Sequence, residues 1–399
     1  LADADTRVAL QDSGIMAGWS EHFFLASADG RFKLEIGGLL QERWIGSHVD
    51  NPDAGAPDRW RSGFESSRTQ LVMRGHLFGK NNEFFMRMGY GYIDPFHVSA
   101  DDARMGYRLW DSFIRTRIDD AWSIRVGTFK LPFSRESLVP DGYQQAVERS
   151  LTDAHMGMGR STGIEAAYMS SGLRGRIAFS NGTVALFSNL DLANNDTAPP
   201  WSWAREDAEW AFTGRLEWLL SGHWGQFHQM TSPPGSEYGV MLGIGGMAQR
   251  QEHETPAGSG SGPVDPTLFA LTTDLSIAWG GANLFGSFYY GYQQEIAGSI
   301  DELHWLGYVI QGGLYLTPKT ELYSRFESGG PFDSDGTGIS MADFYIWTVG
   351  MNYYLDGQDL KVTTDFGYNF GTTTDVTSKT WTGWRTDNHR GGQWLLRAQ

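Results

Sequence analysis

Arginines recur two residues apart in several segments of the sequence. Arg115 and Arg117 form one such pair, and Arg174 and Arg176 form another. Residues two apart face the same side of an extended strand, so each pair would present two guanidinium groups on one face. Guanidinium stays charged at any physiological pH, and its planar fork matches the oxygens of phosphate, sulfate and carboxylate. The spacing therefore predicts anion binding along one face of a sheet.

The segments that carry these arginines alternate between polar and apolar residues. In residues 82–93 one face holds five large apolar side chains: Phe84, Met86, Met88, Tyr90 and Tyr92. The opposite face holds Glu83, Phe85, Arg87 and Gly89. Residues 360–370 repeat the pattern. Such alternation predicts strands with one face toward lipid and one toward water.

Applied along the chain, this parity places Trp110 and Ile114 outside and predicts a set of inward arginines. They are Arg68, Arg74, Arg87, Arg115, Arg117, Arg125, Arg174, Arg176 and Arg215. Few inward acids are predicted nearby, so we interpret the set as an electropositive strip, which in a pore favours anions. The alternative is that each charge simply faces water and is countered by an acid. A β-bulge would reverse the parity locally.

Composition favours a membrane barrel over a soluble protein. The 399 residues include 51 glycines, 16 tryptophans, 16 tyrosines and 23 phenylalanines, yet only 40% of the residues are hydrophobic. This mixture is too polar for a helical membrane protein, and no stretch approaches ~18 consecutive apolar residues. It is unusually aromatic for a soluble propeller or sandwich, whose outer faces should be polar. A barrel with aromatic girdles and a polar lumen accounts for both features.

Long and short connectors alternate along the chain. The long ones cover about 50–61, 94–105, 131–160, 190–205, 251–266, 294–302, 329–342 and 372–389. Such alternation is typical of bacterial outer-membrane barrels and predicts an all-β, transmembrane, antiparallel up-and-down β-barrel of about sixteen strands. Residues 31–399 would form the barrel, and residues 1–30 would form an N-terminal periplasmic segment or plug. The connector at about 221–235 is long where a short one is expected.

Several function classes are disfavoured. A net charge of -16 argues against a nucleic-acid partner, and without cysteine the chain has no thiol catalysis and no thiolate metal site. The sequence has no H-E-x-x-H and no G-x-S-x-G motif, and its ten histidines form no cluster. The glycine-rich segment Gly157–Gly163 lacks the lysine of a phosphate loop. We therefore predict no enzyme activity, no metal and no cofactor, and we interpret the acidic long loops as a solvated rim.

Residues 111–151 resemble the phosphate-selective porin O and P family of outer-membrane proteins. The strand ending in Gly127, Phe129, Lys130, Pro132 and Phe133 carries the resemblance, together with the loop that closes with Glu148, Arg149 and Ser150. The resemblance implies a sixteen-stranded barrel, usually trimeric, whose third long loop folds inward to narrow the pore. It is distinctive over about 31–165. The end of the chain, Trp394–Gln399, departs from the family pattern because it lacks a final aromatic residue.

The loop at 131–160 is the candidate constriction. The resemblance implies that lysines near this strand end help to hold phosphate, and Lys130 matches that motif, although alternation from Val126 would point it outward. Beyond Lys130 the loop holds Arg135 but no lysine. Its acids, Glu136, Asp141, Glu148 and Asp153, would face the arginine wall and create a transverse field.

The sequence thus predicts a porin of the bacterial outer membrane that passes small hydrophilic solutes, with an anion or phosphate-like preference. Its partners would be outer-membrane lipid and lipopolysaccharide, two further copies in a homotrimer, and small anionic or polar solutes. One alternative is a general or saccharide-passing porin, in which Phe285 and Tyr289 would stack sugars. Another is a structural or adhesive plugged barrel.

Overall fold

A computed structural model of the chain describes residues 14–50, 59–92, 105–183, 208–251, 267–296, 300–334, 343–373, 382–385 and 392–399. Most of the predicted long connectors, with their acidic residues, lie outside the described residues, as do residues 1–13. No helix within the described ranges is long and apolar enough to span a bilayer.

Eighteen antiparallel strands form one sheet. They are β1 (Ile15–Ser20), β2 (His22–Ser27), β3 (Lys33–Val49), β4 (Trp60–His76), β5 (Asn82–Tyr92), β6 (Met105–Arg117), β7 (Trp122–Lys130), β8 (Arg160–Met169), β9 (Leu173–Ser180), β10 (Ala208–Ser221), β11 (Gly239–Gln251), β12 (Thr267–Trp279), β13 (Ala282–Ile296), β14 (Ile300–Thr317), β15 (Thr320–Ser334), β16 (Phe344–Asp356), β17 (Leu360–Asn369) and β18 (Gln393–Ala398).

Strands β3 to β18 close into a ring of sixteen. Each pairs with its neighbours in chain order, and β18 pairs with both β17 and β3. Closure leaves no free edge in the ring, so its backbone donors and acceptors are paired between strands, as hydrocarbon surroundings require. The predicted fold class and strand number are confirmed.

The first two strands add a hairpin beside this ring. Residues 23–26 of β2 pair with residues 33–36 of β3, whereas β18 pairs with residues 44–49 of the same strand. The hairpin therefore continues the edge of β3 on which β18 lies. The described part of the predicted N-terminal segment 1–30 contributes this hairpin.

Period-two burial explains why these segments form a membrane barrel. Along β12, Phe269, Leu271 and Leu275 are exposed on the outer surface, while Asp274 and the residues next to the exposed ones are buried. Apolar side chains on the outside suit lipid, and polar ones inside suit a lumen. The strands are joined at one end by short turns such as Gly280–Gly281, where Gly281 has a φ of +88° that favours glycine.

Loop 3, residues 131–159, lies inside the ring between β7 and β8. It contains two short helices, α1 (Arg135–Leu138) and α2 (Leu151–Met156), with a 3-10 turn at Asp141–Tyr143 between them. The side chain of Ser134 caps α1 and the side chain of Ser150 caps α2, each accepting a hydrogen bond from a first-turn amide. Leu131, Phe133 and Met156 pack with apolar residues from the surrounding wall. Loop 3 is therefore a folded part of the core.

Candidate functional site

Loop 3 is fastened to the wall formed by β13 to β17. The Gln145 side chain donates to Glu321 at 2.6 Å and to Asn283 at 3.1 Å, and it accepts from Gln311 at 2.9 Å. The amide of Asn352 donates to the Gln145 carbonyl at 2.9 Å. The loop thus fills the side of the lumen that faces these strands.

The buried Arg215 of β10 binds the start of loop 3. Arg215 makes two hydrogen bonds to Asp274, at 2.7 and 3.0 Å, and one to Glu217 at 2.9 Å. It also donates to the Phe133 carbonyl at 2.9 Å, and its side chain is fully buried. The prediction that Arg215 lines the pore is therefore wrong. Its charge is neutralised by two acids and its role is to hold loop 3.

The opposite edge of loop 3 meets cations of β3 and β4. Glu148 accepts from Arg43 at 2.6 Å and receives two parallel bonds of 2.7 Å from Arg68. Asp141 lies 2.6 Å from Arg149 and 3.6 Å from Arg68. Of the four predicted loop acids, Glu148 and Asp141 thus contact the arginine wall directly. Glu136 instead accepts from Ser150, and Asp153 accepts from Ser134 and Ser137, within loop 3.

A second group of charges adjoins the first. Arg160 makes a forked pair with Asp111 at 3.1 and 3.3 Å. Arg87 lies 3.5 Å from Asp111 and 4.0 Å from Asp141, and its Nε atom has no hydrogen-bond partner among the described residues. Lys130 donates to the Ser137 carbonyl at 2.6 Å, so its side chain turns into the lumen at the strand end although strict alternation would point it outward.

We call these ten groups the constriction cluster: Arg43, Arg68, Arg87, Lys130, Arg149 and Arg160 with Glu65, Asp111, Asp141 and Glu148. The five arginines by themselves outnumber the four carboxylates, so the cluster has a positive excess where loop 3 meets the wall. The side chains of Arg68, Arg87 and Arg160 are 12–15% exposed, so their charges lie at the edge of the open path.

The loop carboxyls in this cluster remain ionised. Burial by itself would raise the pKa of Glu148, but the charges of Arg68 and Arg43 outweigh burial and lower the pKa below its ordinary range. Asp141 is also buried, and Arg149, Arg68 and Lys130 hold its pKa well below the usual value. Both groups therefore stay negative at neutral pH.

A second cationic region lies at the end of the barrel that has the short turns. Arg74, Arg115 and Arg117 line a cavity of about 560 Å³ there, which we call the vestibule. Arg125, on the strand beside Arg115, is buried and pairs with Glu165 at 2.5 Å. Arg74, Arg115 and Arg117 thus lie on the lumen side, as predicted.

The remaining predicted site residues lie outside both cationic regions. Arg135 is buried within loop 3 and donates to the carbonyls of Phe227 and Gln229, so it does not line the pore. Arg174 and Arg176 lie 3.3 and 3.8 Å from Glu217. The Arg174 guanidinium also lies 4.3 Å from the ring centroid of Trp224, in the long connector of residues 222–238.

Two expectations about facing are wrong. Trp110 is the extra residue of a β-bulge in β6, opposite Arg87 and Met88 of β5, and the bulge places it on the lumen side. There the Arg160 guanidinium lies 4.7 Å from its ring centroid. Inward acids are also more numerous than predicted. Phe285 and Tyr289 do point inward, but loop 3 buries them, and the Tyr289 hydroxyl donates to Asp153 at 3.0 Å.

Three cations of the constriction cluster were not among the predicted site residues. Arg43 is buried on the same face of β3 as Gln41, so the alternation of that strand was the available signal. Arg149 is in loop 3, where no strand pattern assigns a direction. Arg160 begins β8 inside the glycine-rich segment, so the start of that strand was the available signal. Within the described ranges, no three His, Asp or Glu side chains are placed to hold a metal ion.

Residues 44–185 match the family model of phosphate-selective porin O and P, which confirms the predicted resemblance over that part of the chain. No curated protein matches the sequence. The anion-selective porin from Comamonas acidovorans superposes with a TM-score of 0.57 at 11% identity, covering 92% of this chain and 97% of that one. The outer-membrane channel DcaP of Acinetobacter baumannii superposes with a TM-score of 0.53 at 11% identity, covering 96% of this chain and 99% of that one. At such identity the likeness concerns the fold.

Proposed function

We propose that this porin-type channel of the bacterial outer membrane passes small hydrophilic solutes with a preference for anions. The constriction cluster is the observation that carries the proposal, since its five arginines exceed its four carboxylates. A fixed positive excess beside a narrow aqueous path raises the local concentration of anions and opposes cations.

Phosphate-like oxyanions suit the exposed groups of this cluster. Arg87 and Arg160 are each 15% exposed beside the path, and a guanidinium forms charge-assisted hydrogen bonds with the oxygens of an anion. The Lys130 side chain lies behind them and donates to the loop backbone. We therefore propose inorganic phosphate and ions of similar shape as the preferred solutes.

The saccharide alternative finds less support. Its stacking candidates, Phe285 and Tyr289, are 3% and 0% exposed, so a sugar cannot reach their rings. A zero-current potential that shows no preference between anions and cations would favour a general porin without selectivity.

Assembly belongs to the same proposal. We propose a homotrimer in contact with outer-membrane lipid and lipopolysaccharide, as the family resemblance implies. Native mass measurement of the protein extracted in mild detergent should give three copies, and a monomer under the same conditions would contradict the trimer.

The test of selectivity compares Arg87→Gln with wild type in planar bilayers under a KCl gradient. Arg87 is suitable because its links to Asp111 and Asp141 are long. A unit charge about 4 Å from a permeating ion in water is worth about 1 kcal/mol, or about fivefold in relative permeability. The zero-current potential of the variant should shift in the direction of cation preference, by the amount that an about fivefold change in relative permeability produces.

Lys319→Gln is the matched control. It removes the same charge from an exposed turn between β14 and β15, away from loop 3. Its zero-current potential should equal that of wild type. An unchanged potential in Arg87→Gln would remove the constriction cluster from the selectivity mechanism.

A further inference from the structure

The vestibule has more positive charge than its ion pairs need. Glu83 is shared by Arg115 at 3.5 Å and Arg117 at 3.2 Å. Glu35 is shared in the same way by Lys33 at 2.6 Å and Arg74 at 2.7 Å. Each carboxylate therefore neutralises one of two cations and holds both in place.

Lys80 lines the same cavity and adds another charge. Its lysines and arginines are five and its carboxylates are two, an excess of three positive charges. Arg74 and Arg117 have side chains 45% and 55% exposed, so this charge is open to solutes.

Aromatic rings also line this cavity, at positions where a lumen face is ordinarily polar. Phe85 and Phe113 stand on neighbouring strands with ring centroids 5.3 Å apart and planes 16° from parallel. Both are half-buried. Loop 3 hides Phe285 and Tyr289, whereas Phe85 and Phe113 border open space.

Guanidinium groups flank the two rings. Arg87 lies 5.3 Å from the Phe85 centroid, and Arg115 and Arg125 lie 5.6 and 4.9 Å from the Phe113 centroid. A guanidinium held at a ring face keeps its N–H edges available to an acceptor, and the edges of the phenyl rings favour the face of another ring. The vestibule thus offers charge and aromatic surface side by side.

We propose that the vestibule is a binding site for small aromatic carboxylates. The carboxylate would pair with the guanidinium of Arg115 or Arg117, and the ring would lie against Phe85 and Phe113. A cavity of about 560 Å³ admits a molecule of one or two rings. This inference rests on the proposed function only in that the site opens onto an anion-passing channel.

The test measures block of single-channel KCl current by benzoate and by acetate, added on the side of the short turns. Acetate has the same charge without the ring. The half-blocking concentration of benzoate should be about fivefold or more below that of acetate, the range that ring and cation–π contacts supply. Phe85→Leu combined with Phe113→Leu should raise the half-blocking concentration of benzoate to that of acetate.

Phe288→Leu, on the outer surface, is the matched control, and benzoate should block this variant as it blocks wild type. Equal block by benzoate and acetate in a channel that prefers anions would overturn this inference and leave the proposed function standing. Benzoate block that survives the double substitution would also overturn it. Ring-dependent block in a channel without anion preference would support the vestibule and contradict the proposed function.

Discussion

Arginine has three different roles in this barrel, and the surroundings of each residue decide which. Arg215 is fully buried between two carboxylates and holds loop 3. Arg68 is 12% exposed and pairs with that loop at the edge of the path. Arg117 is 55% exposed at the vestibule and shares its acid with a second arginine. Only the second and third positions bring charge to a passing solute.

Glu148 is the residue through which loop 3 and the arginine wall depend on each other. Replacing it with glutamine removes the carboxylate that Arg43 and Arg68 share. Each arginine keeps one other acid, Glu65 or Asp141, so the loss should be at most the about 3–5 kcal/mol of breaking a buried ion pair. Urea unfolding of the folded barrel should show that loss at neutral pH. Glu302→Gln, at a side chain 49% exposed, should stay within about 0.5 kcal/mol of wild type.

The same variant predicts a pH dependence. Since the pKa of Glu148 is lowered in the folded state, its stabilisation is fully present above the unfolded pKa of about 4.3 and is lost as pH falls through the lower folded value. The stability gap between wild type and Glu148→Gln should therefore be constant above about pH 5 and close in stronger acid. A gap that closes between pH 7 and 5 would contradict the assigned ion pairs.

Facing could be predicted from sequence where a strand alternates without interruption. Arg68, Arg74 and Arg87 follow simple parity and lie on the lumen side. Trp110 does not, because a bulge adds a residue that no local pattern marks. Lys130 does not either, because the chain bends inward at the end of β7 to begin loop 3.

At the scale of elements, the position of loop 3 depends on glycines of the wall. A Cβ added to Gly313 of β14 would overlap the Gln145 amide and lie 2.6 Å from Glu321, and one added to Gly245 of β11 would overlap the Phe133 carbonyl. These positions let the loop backbone and amides approach the sheet. The sequence shows the glycines but not the loop that they admit, since their contacts are far apart along the chain.

Gly313→Val should displace loop 3 from the wall. Overpacking of this kind typically costs about 1–3 kcal/mol, and we expect lower stability in urea together with altered unit conductance. Gly286→Val on β13 is the matched control, because its nearest neighbour would be 4.0 Å from the new Cβ. Unchanged conductance and stability in Gly313→Val would show that the loop does not depend on this contact.

The long connector of residues 222–238 supports loop 3 at the end with the short turns. The Met230 amide donates to the Tyr143 carbonyl, and Arg135 binds the carbonyls of Phe227 and Gln229 at 2.6 and 2.9 Å. The sequence predicted the unusual length of this connector but not that it folds into the lumen. Tertiary contacts alone give the connector its direction.

Arg135→Ala should release this connector. Two buried carbonyls lose their donors, at about 1–3 kcal/mol each, so hydrogen exchange at residues 223–231 should become faster. Arg135→Lys keeps the charge but lacks the fork, and its exchange should be intermediate. Wild-type exchange rates in the alanine variant would show that other contacts hold the connector.

At the scale of the whole molecule, loop 3 and the connector occupy the lumen beside β13 to β17. The constriction cluster and the vestibule lie along β3 to β8, so the open path runs beside that wall. Composition, alternation and connector lengths were enough to predict a closed barrel of sixteen strands. They could not predict which charged side chains of the lumen are buried, because loop 3 and the connector of residues 222–238 bury them by folding inward.

The most direct test of the account is the zero-current potential of the wild-type channel in a planar bilayer under a KCl gradient. A positive excess at both the constriction cluster and the vestibule predicts a potential of the sign that an anion-preferring channel gives. A potential of zero, or one of the opposite sign, would contradict it.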